Sequence, residues 1–251
     1  MSKVSVVIPA LNEAENLPFV LDRIPDWIHE VILVDGQSTD GTVEVARSVM
    51  PAIRVVEQTG RGKGDALACG FAAAEGDIIV MLDADGSTDA AEIPRFVSAL
   101  EQGADFVKGS RYLEGGGSDD LTFVRTMGNK LLARLVNAVY KTRYSALCYG
   151  YMAFWRRCVD RLHPDCAGFE VETLLTIRAA QGGLSVAEVP SHEARRLFGE
   201  SRLHVVRDGL RILRVIVRER SPAAGPELIA TPTAPEAAEL NLTSCALGDE
   251  G

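Results

Sequence analysis

The stretch IVMLDADGSTD, residues 79–89, governs the reading of the whole chain. Four apolar residues, Ile79 to Leu82, run straight into Asp83 and Asp85, and Ser87 and Asp89 follow at the same two-residue spacing. A short, unbroken apolar run suits a strand covered on both faces. Carboxylates crowded in this way repel one another, so the pattern calls for a cation among them or for a capped turn into the next helix. A short Asp-x-Asp match alone does not choose between the two.

The flanking sequence does choose. Nearly all-apolar runs recur at VSVVIP (4–9), EVILVD (30–35), IRVVE (53–57), DIIVMLD (77–83) and ADFVKG (104–109). Helical patterns lie between them. Asn12 with Glu15, and Asp89 with Glu92, fit capping boxes, and Asp40 suits the start of a helix over about 42–50. Repeated βαβ units of this length predict a Rossmann-like, doubly wound, mostly parallel α/β sheet with helices on both faces. Such a sheet binds ligands at the carboxyl ends of its strands. Pro9, Asn12 and Glu13 follow the first strand, Asp35 ends the second, and Asp83 and Asp85 end the fourth. Polar residues delivered to one edge by three strands argue for a site over a chance turn.

Beyond residue 110 the pattern changes. GSRYLEGGGSDDL is a Gly-rich loop, mobile by composition, and helices are expected over about 123–142 and 168–181. LSVAEVP (184–190) reads as a strand, followed by a last helix over about 201–219. Residues 221–251 carry four Pro and five acids with no base or periodicity, so the expected organisation is a domain over 1–220 and a flexible acidic tail. In the last helix Leu203, Val206, Leu210, Leu213 and Val217 form one stripe, with Arg207, Arg211, Arg214 and Arg218 one residue later, about 100° round the axis. With Val205, Ile212 and Ile216 widening it, the apolar side is expected to pack on the domain, with the Arg side turned to anionic lipid headgroups.

Bulk properties narrow the function classes. The 251-residue chain has 47% hydrophobic and 24% charged residues, ordinary for a globular protein, and a net charge of -9 that speaks against nucleic-acid binding. Charge is nonetheless uneven, since residues 190–220 hold eight Arg against four acids. Five scattered Cys without a CxxC pair argue for a reducing compartment and against a disulfide framework or zinc site. MSKVSVVIPA lacks a signal-peptide pattern and no apolar stretch reaches the ~20 residues of a membrane span, so the expectation is a cytoplasmic protein.

With these residues in view, the chain resembles the family-2, GT-A-fold glycosyltransferases, especially the polyprenyl-phosphate (dolichyl-phosphate) mannose and glucose synthases. The resemblance runs over roughly residues 3–220 and rests on VIPALNEAENL (7–17), VDGQSTDGT (34–42), GRGKGDAL (60–67), LDADGS (82–87), KGSRY (108–112) and RRLFGESRL (195–203), six motifs in the family's order. Two positions depart from it: Gly36 follows Asp35 where a second acid is usual, and Arg202 stands where Lys is usual.

The resemblance implies an inverting, metal-dependent transfer of mannose or glucose from GDP-mannose or UDP-glucose to a polyprenyl phosphate, with a C-terminal helical extension to the GT-A fold. Mg²⁺ or Mn²⁺ would bridge the donor diphosphate, and such hard cations take one or two carboxylates together with phosphate oxygens and water. The implied metal residues are Asp85, Asp83 and Ser87. Pro9, Ala10, Asn12, Glu13, Asp35, Lys63, Asp83 and Ala84 would hold the nucleotide sugar, although Asn12 and Glu13 also suit simple helix capping. Arg111, Arg125, Arg196 and Arg202 would surround the phosphates, which guanidinium forks match in a bidentate way. Glu170, in GFEVETLL (168–175), would serve as general base for a hydroxyl acceptor, whereas an ionised phosphate needs none. Its position, with Glu172, at a helix start also suits the helix dipole.

Other readings fit some of the same residues. One keeps the fold but uses a soluble hydroxyl acceptor, such as a secondary metabolite or saccharide. A non-catalytic nucleotide-sugar-binding module needs no turnover. Sugar nucleotidyltransfer expects a Gly-rich triphosphate loop after the first strand, which PALNEAEN is not.

Overall fold

The computed structural model describes residues 2–200 and 204–220, so Arg202 and the expected tail at 221–251 lie outside the described residues. The N-terminal half alternates β1 (Val4–Ala10), α1 (Leu17–Leu21), β2 (Glu30–Asp35), α2 (Thr42–Val49), β3 (Arg54–Glu57), α3 (Lys63–Ala73) and β4 (Ile78–Met81). The chain continues through α4 (Ile93–Glu101), β5 (Phe106–Ser110), β6 (Gly117–Ser118), α5 (Phe123–Tyr140), β7 (Met152–Trp155), α6 (Val159–Leu162), α7 (Val171–Gln181), β8 (Val186–Pro190), β9 (His192–Glu193) and α8 (Val205–Arg218). Seven strands form one sheet in the order β3-β2-β1-β4-β7-β5-β8.

Alternation along the central strands divides the core between the two faces. Val6, Ile8, Leu33 and Val80 pack against Leu17 and Phe96 on one side, while Val7, Ile32 and Ile79 pack against Leu67 and Phe71 on the other. Because both faces are covered, these strands read as continuous apolar runs. Winding reverses between β1, which continues to β2 and β3, and β4 on its other flank. This is the switch point where a doubly wound sheet opens a crevice. It places Pro9 and Ala10 beside the Asp83–Asp85 turn.

Four local features differ from the sequence expectation. β7 pairs antiparallel with both β4 and β5, as in Ile79 opposite Phe154 and Val107 opposite Ala153; its four residues are too short and too uniformly apolar to announce a direction. The Gly-rich loop contains β6, whose Gly117 and Ser118 pair with His192 and Glu193 of β9. Neither proposed capping box forms. Asn12 adopts a left-handed φ of 55° and its side chain accepts from Thr39 N at 2.8 Å, while Glu92 takes the Ser191 hydroxyl. Asp89 does cap, accepting from Ala91 N at 3.0 Å.

The fourth difference concerns α8. Ile212, Val215 and Ile216 enter a third cluster with Val136 of α5 and Leu174 and Ile177 of α7, so the anticipated stripe faces outward instead over Val206, Leu210, Leu213 and Val217, Leu203 lying outside the described residues. Val206 is 77% and Val217 69% exposed, and Leu210 and Leu213 are exposed as well. Helical spacing provides two apolar sides here, and packing on α5 and α7 selects the Ile212 side. The outer side of α5 is similarly apolar, with Phe123 80% and Leu131 67% exposed. Among the described residues no helix is long and apolar enough to cross a membrane.

Candidate active site

A cleft of about 480 Å³ opens at the switch point. Pro9, Ala10 and Glu13 line it from the end of β1, Asp83, Ala84 and Asp85 from the end of β4, Lys63 from the start of α3, and Arg196 from the segment after β9. These sequence-predicted residues, from four separate parts of the chain, thus meet in one space.

Lys63 is held between two carboxylates, its Nζ 2.6 Å from Asp83 Oδ1 and 2.8 Å from Glu172 Oε1. Burial by itself would push this ammonium down, but the adjacent Asp83 and Glu172 charges prevail and hold it well above the ordinary lysine range. Burial pushes the Asp83 carboxyl up to about 6, opposed by Lys63 and reinforced by the charges of Asp85 and Glu172. Across the cleft, Arg196 Nη2 lies 2.5 Å from Glu13 Oε2 and Nη1 lies 3.5 Å from Asp85 Oδ2. Asn16 supports the same arrangement, donating to Glu13 Oε2 at 2.6 Å and exchanging two hydrogen bonds with the Phe198 backbone.

Four carboxylates (Glu13, Asp83, Asp85, Glu172) therefore face two cations. The excess of negative charge and the all-oxygen donor set suit a hard divalent ion. Among the described residues no three His, Cys, Asp or Glu side chains converge as a complete metal cage. The fit is to an ion that takes one or two carboxylates and draws its remaining ligands from phosphate and water.

Several predicted residues lie outside the lining. Asp35 is turned to Ser38 N, at 3.1 and 3.4 Å, and Asn12 buttresses the same turn. Ser87 braces the Asp83–Asp85 turn, donating its N–H to Asp85 Oδ1 at 3.0 Å and accepting from Ala194 N at 2.9 Å. Arg111 is buried, 2.6 Å from Glu193 and 2.7 Å from Cys148 O, and stacked over Tyr149. Arg125 pairs with Asp120 at the start of α5. Glu170 precedes α7, where Oε1 accepts from Gly168 N at 3.1 Å and Oε2 is buried without a hydrogen-bond partner among the described residues.

Sequence reasoning missed Glu172 as a partner of Lys63, and also Gln58 and Phe169, both of which line the cleft. Glu172 lies 109 residues from Lys63, so no local spacing could join them. The only signal for Gln58 was its place at the carboxyl end of the third strand.

The Glycosyl transferase family 2 model matches residues 5–162. The chain is 32% identical over 212 residues to the dolichol-phosphate mannosyltransferase of Pyrococcus furiosus, covering 80% of this chain but only 59% of that relative. It is 32% identical to the undecaprenyl-phosphate mannosyltransferase of Micrococcus luteus, covering 80% of this chain and 87% of that one. Among solved structures it is similar to glucosyl-3-phosphoglycerate synthase from Mycobacterium tuberculosis in complex with Mn²⁺, uridine diphosphate and phosphoglyceric acid, with a TM-score of 0.71, 26% identity, and coverage of 89% of this chain and 81% of that one. Its seven-stranded, mostly parallel sheet is the GT-A fold, and with more than half its length matched by the family model the chain belongs to the family-2 glycosyltransferases.

Proposed function

We propose that the protein transfers mannose or glucose from GDP-mannose or UDP-glucose to a polyprenyl phosphate, with inversion and with Mg²⁺ or Mn²⁺. The observation that carries this reading is the placement of Asp83 and Asp85 at the switch-point end of β4, facing Lys63 and Arg196 across the cleft. Polyprenyl-phosphate mannosyltransferases among the relatives support the acceptor class.

A divalent ion held by Asp85 and Asp83 would supply Lewis-acid stabilisation of the departing diphosphate. The chain's own residues do the rest. Pro9, Ala10 and Gly36 border the nucleoside end of the cleft without bulky side chains. Lys63 and Arg196 offer cationic N–H groups to the diphosphate, at the expense of their present carboxylate partners. An acceptor phosphate oxygen, already ionised at neutral pH, attacks the anomeric carbon as the sugar–diphosphate bond breaks, so no side chain has to remove a proton. The exposed apolar and basic sides of α5 and α8 suit contact with an anionic bilayer, from which a polyprenyl chain would present its phosphate.

The test supplies GDP-mannose or UDP-glucose with Mn²⁺ or Mg²⁺ and offers either a polyprenyl phosphate or a soluble hydroxyl acceptor. Glycolipid should form only with metal. Asp85→Asn should lower its rate about 100-fold, corresponding to roughly 3 kcal/mol of lost transition-state stabilisation. Its thermal stability should hold, because the substitution also relieves repulsion with Asp83. Near-normal turnover by this variant would remove Asp85 from the metal site, and efficient glycosylation of the soluble acceptor alone would overturn the lipid acceptor.

A further inference from the structure

We propose that Gln58 selects the donor's nucleobase, admitting bases with a ring N–H on the pairing edge (uracil or guanine) and rejecting those with a bare ring nitrogen there (cytosine or adenine). The inference rests on the nucleotide-sugar reading of the cleft and assigns recognition of the base to one side chain. Gln58 directly follows β3, and its backbone N–H donates to Asp35 O at 3.0 Å, extending the β2–β3 pairing by one residue. Its side chain is thereby delivered to the nucleoside end of the cleft, which both it and Gly36 line.

The amide's orientation follows from its partner. Nε2 lies 2.8 Å from Gly62 O. A carbonyl oxygen only accepts, so the NH₂ must face Gly62 and Oε1 must face the other way. Oε1 then lies 3.0 Å from where a Cβ on Gly36 would stand. None of the hydrogen bonds among the described residues ends on Oε1. Gln58 is only 8% exposed, so this acceptor is held in a defined position instead of wandering in solvent. Asp35, the acid expected to read the nucleoside, is committed to Ser38 N and does not line the cleft. Gly36 carries no side chain and so leaves open the space in front of Oε1. With Asp35 turned away and the Gln58 amide oriented, the acceptor at this end of the cleft comes from the end of β3.

An amide oxygen can accept a hydrogen bond from uracil N3–H or guanine N1–H. Facing cytosine N3 or adenine N1, it sets acceptor against acceptor, and a buried unpaired acceptor weakens binding by roughly 10- to 100-fold. Size separates purines from pyrimidines, so the informative comparisons are UDP with CDP and GDP with ADP.

Calorimetric titration of these four nucleotides in Mn²⁺ tests the assignment on the full chain, as wild type, Gln58→Met and Gly36→Ala, with melting curves as a fold check. Wild type should favour UDP over CDP, or GDP over ADP, by at least about tenfold. Gln58→Met keeps the length but has neither amide group, and should collapse that ratio mainly by weakening the preferred nucleotide. Gly36→Ala keeps the Gln58–Gly62 bond while placing a methyl in front of Oε1, and should collapse the ratio too. Equal binding of all four by wild type would overturn the inference. So would uniform weakening of all four by Gln58→Met, which would mark Gln58 as a support for the Gly60–Gly62 loop. Failure of wild type to bind any of them would instead overturn the nucleotide reading itself, and this inference with it.

Discussion

Gly150 is the residue at which packing and proposed chemistry meet most closely. A Cβ there would lie 2.7 Å from both Asp83 Oδ2 and Lys63 Nζ and 2.9 Å from Glu172 Oε1. Those separations are too short for carbon, so a side chain at position 150 would displace the ends of Lys63, Asp83 and Glu172 from their present arrangement. Gly150→Ala should force Lys63 and Asp83 apart and weaken metal-dependent donor binding by about tenfold, as expected for the loss of one well-placed charged contact. The comparison is donor titration with and without Mn²⁺, and unchanged affinity would mean that the cluster is not needed for binding. Legibility divides sharply at this scale. Asp83 and Asp85 were readable as cleft residues because they follow an apolar strand whose carboxyl end shares one sheet edge with the ends of β1 and β2. Gly150, Glu172 and Gln58 were not, because each matters through neighbours distant in sequence.

At the scale of elements, a buried ion pair ties β5, β8 and the approach to β7 together. Lys108 is fully buried, donates to Ala146 O, lies 3.7 Å from Glu188 Oε1 and stacks over Tyr144. Glu188 also accepts from Ser145 N at 2.9 Å and Ala146 N at 3.4 Å. Burial pushes the Lys108 ammonium down, so its charge depends on Glu188 and the carbonyl beside it. Lys108→Met would strand that carboxylate and carbonyl and should destabilise the fold by about 3 kcal/mol. The shift in denaturant midpoint measures it, and the Lys108→Met/Glu188→Leu double variant should recover part of the loss. The βαβ half was legible because β1, β2 and β4 are continuous apolar runs separated by helical patterns. β7 was not, since antiparallel insertion between β4 and β5 is a property of the assembled sheet and four apolar residues do not encode it.

Across the whole molecule, charge and apolar surface are distributed unequally. The chain carries a net charge of -9, yet residues 123–140 contain three basic residues and no acid, and the only acid of residues 205–218 is Asp208. Asp208 is buried, accepts from His204 N through Oδ2 and reaches Arg211 and Arg207 through Oδ1 at 3.4 and 3.8 Å, so a single carboxylate of this helix faces its Arg residues. Arg211 and Arg218 hydrogen-bond carboxylates, whereas Arg207 only approaches Asp208 Oδ1 at 3.8 Å, and Arg214 has no ion pair among the described residues, which leaves Arg207 and Arg214 as the more available cations. If this side meets a membrane as proposed, the protein should cosediment with vesicles containing anionic lipid at low salt and be released as salt rises. Arg207→Gln/Arg214→Gln should weaken binding by roughly 30-fold, at ~1 kcal/mol per charge. Leu131→Asp/Leu210→Asp should abolish it while leaving the fold intact, because both leucines are exposed. Indifference of the wild-type protein to such vesicles would remove the membrane contact.

The sequence by itself determined the sheet's class and the edge where its chemistry gathers, because buried parallel strands need unbroken apolar runs and polar residues after them have no place except the strand ends. It also singled out the DAD turn, since adjacent carboxylates carry their mutual repulsion wherever the chain puts them. Only the tertiary structure decided which apolar side of α8 is covered, which cation faces which carboxylate, and that Gln58 instead of Asp35 lines the cleft. These outcomes depend on distances between segments up to 183 residues apart, such as Glu13 and Arg196. Local propensity and spacing are blind to separations of that kind, and packing alone sets them.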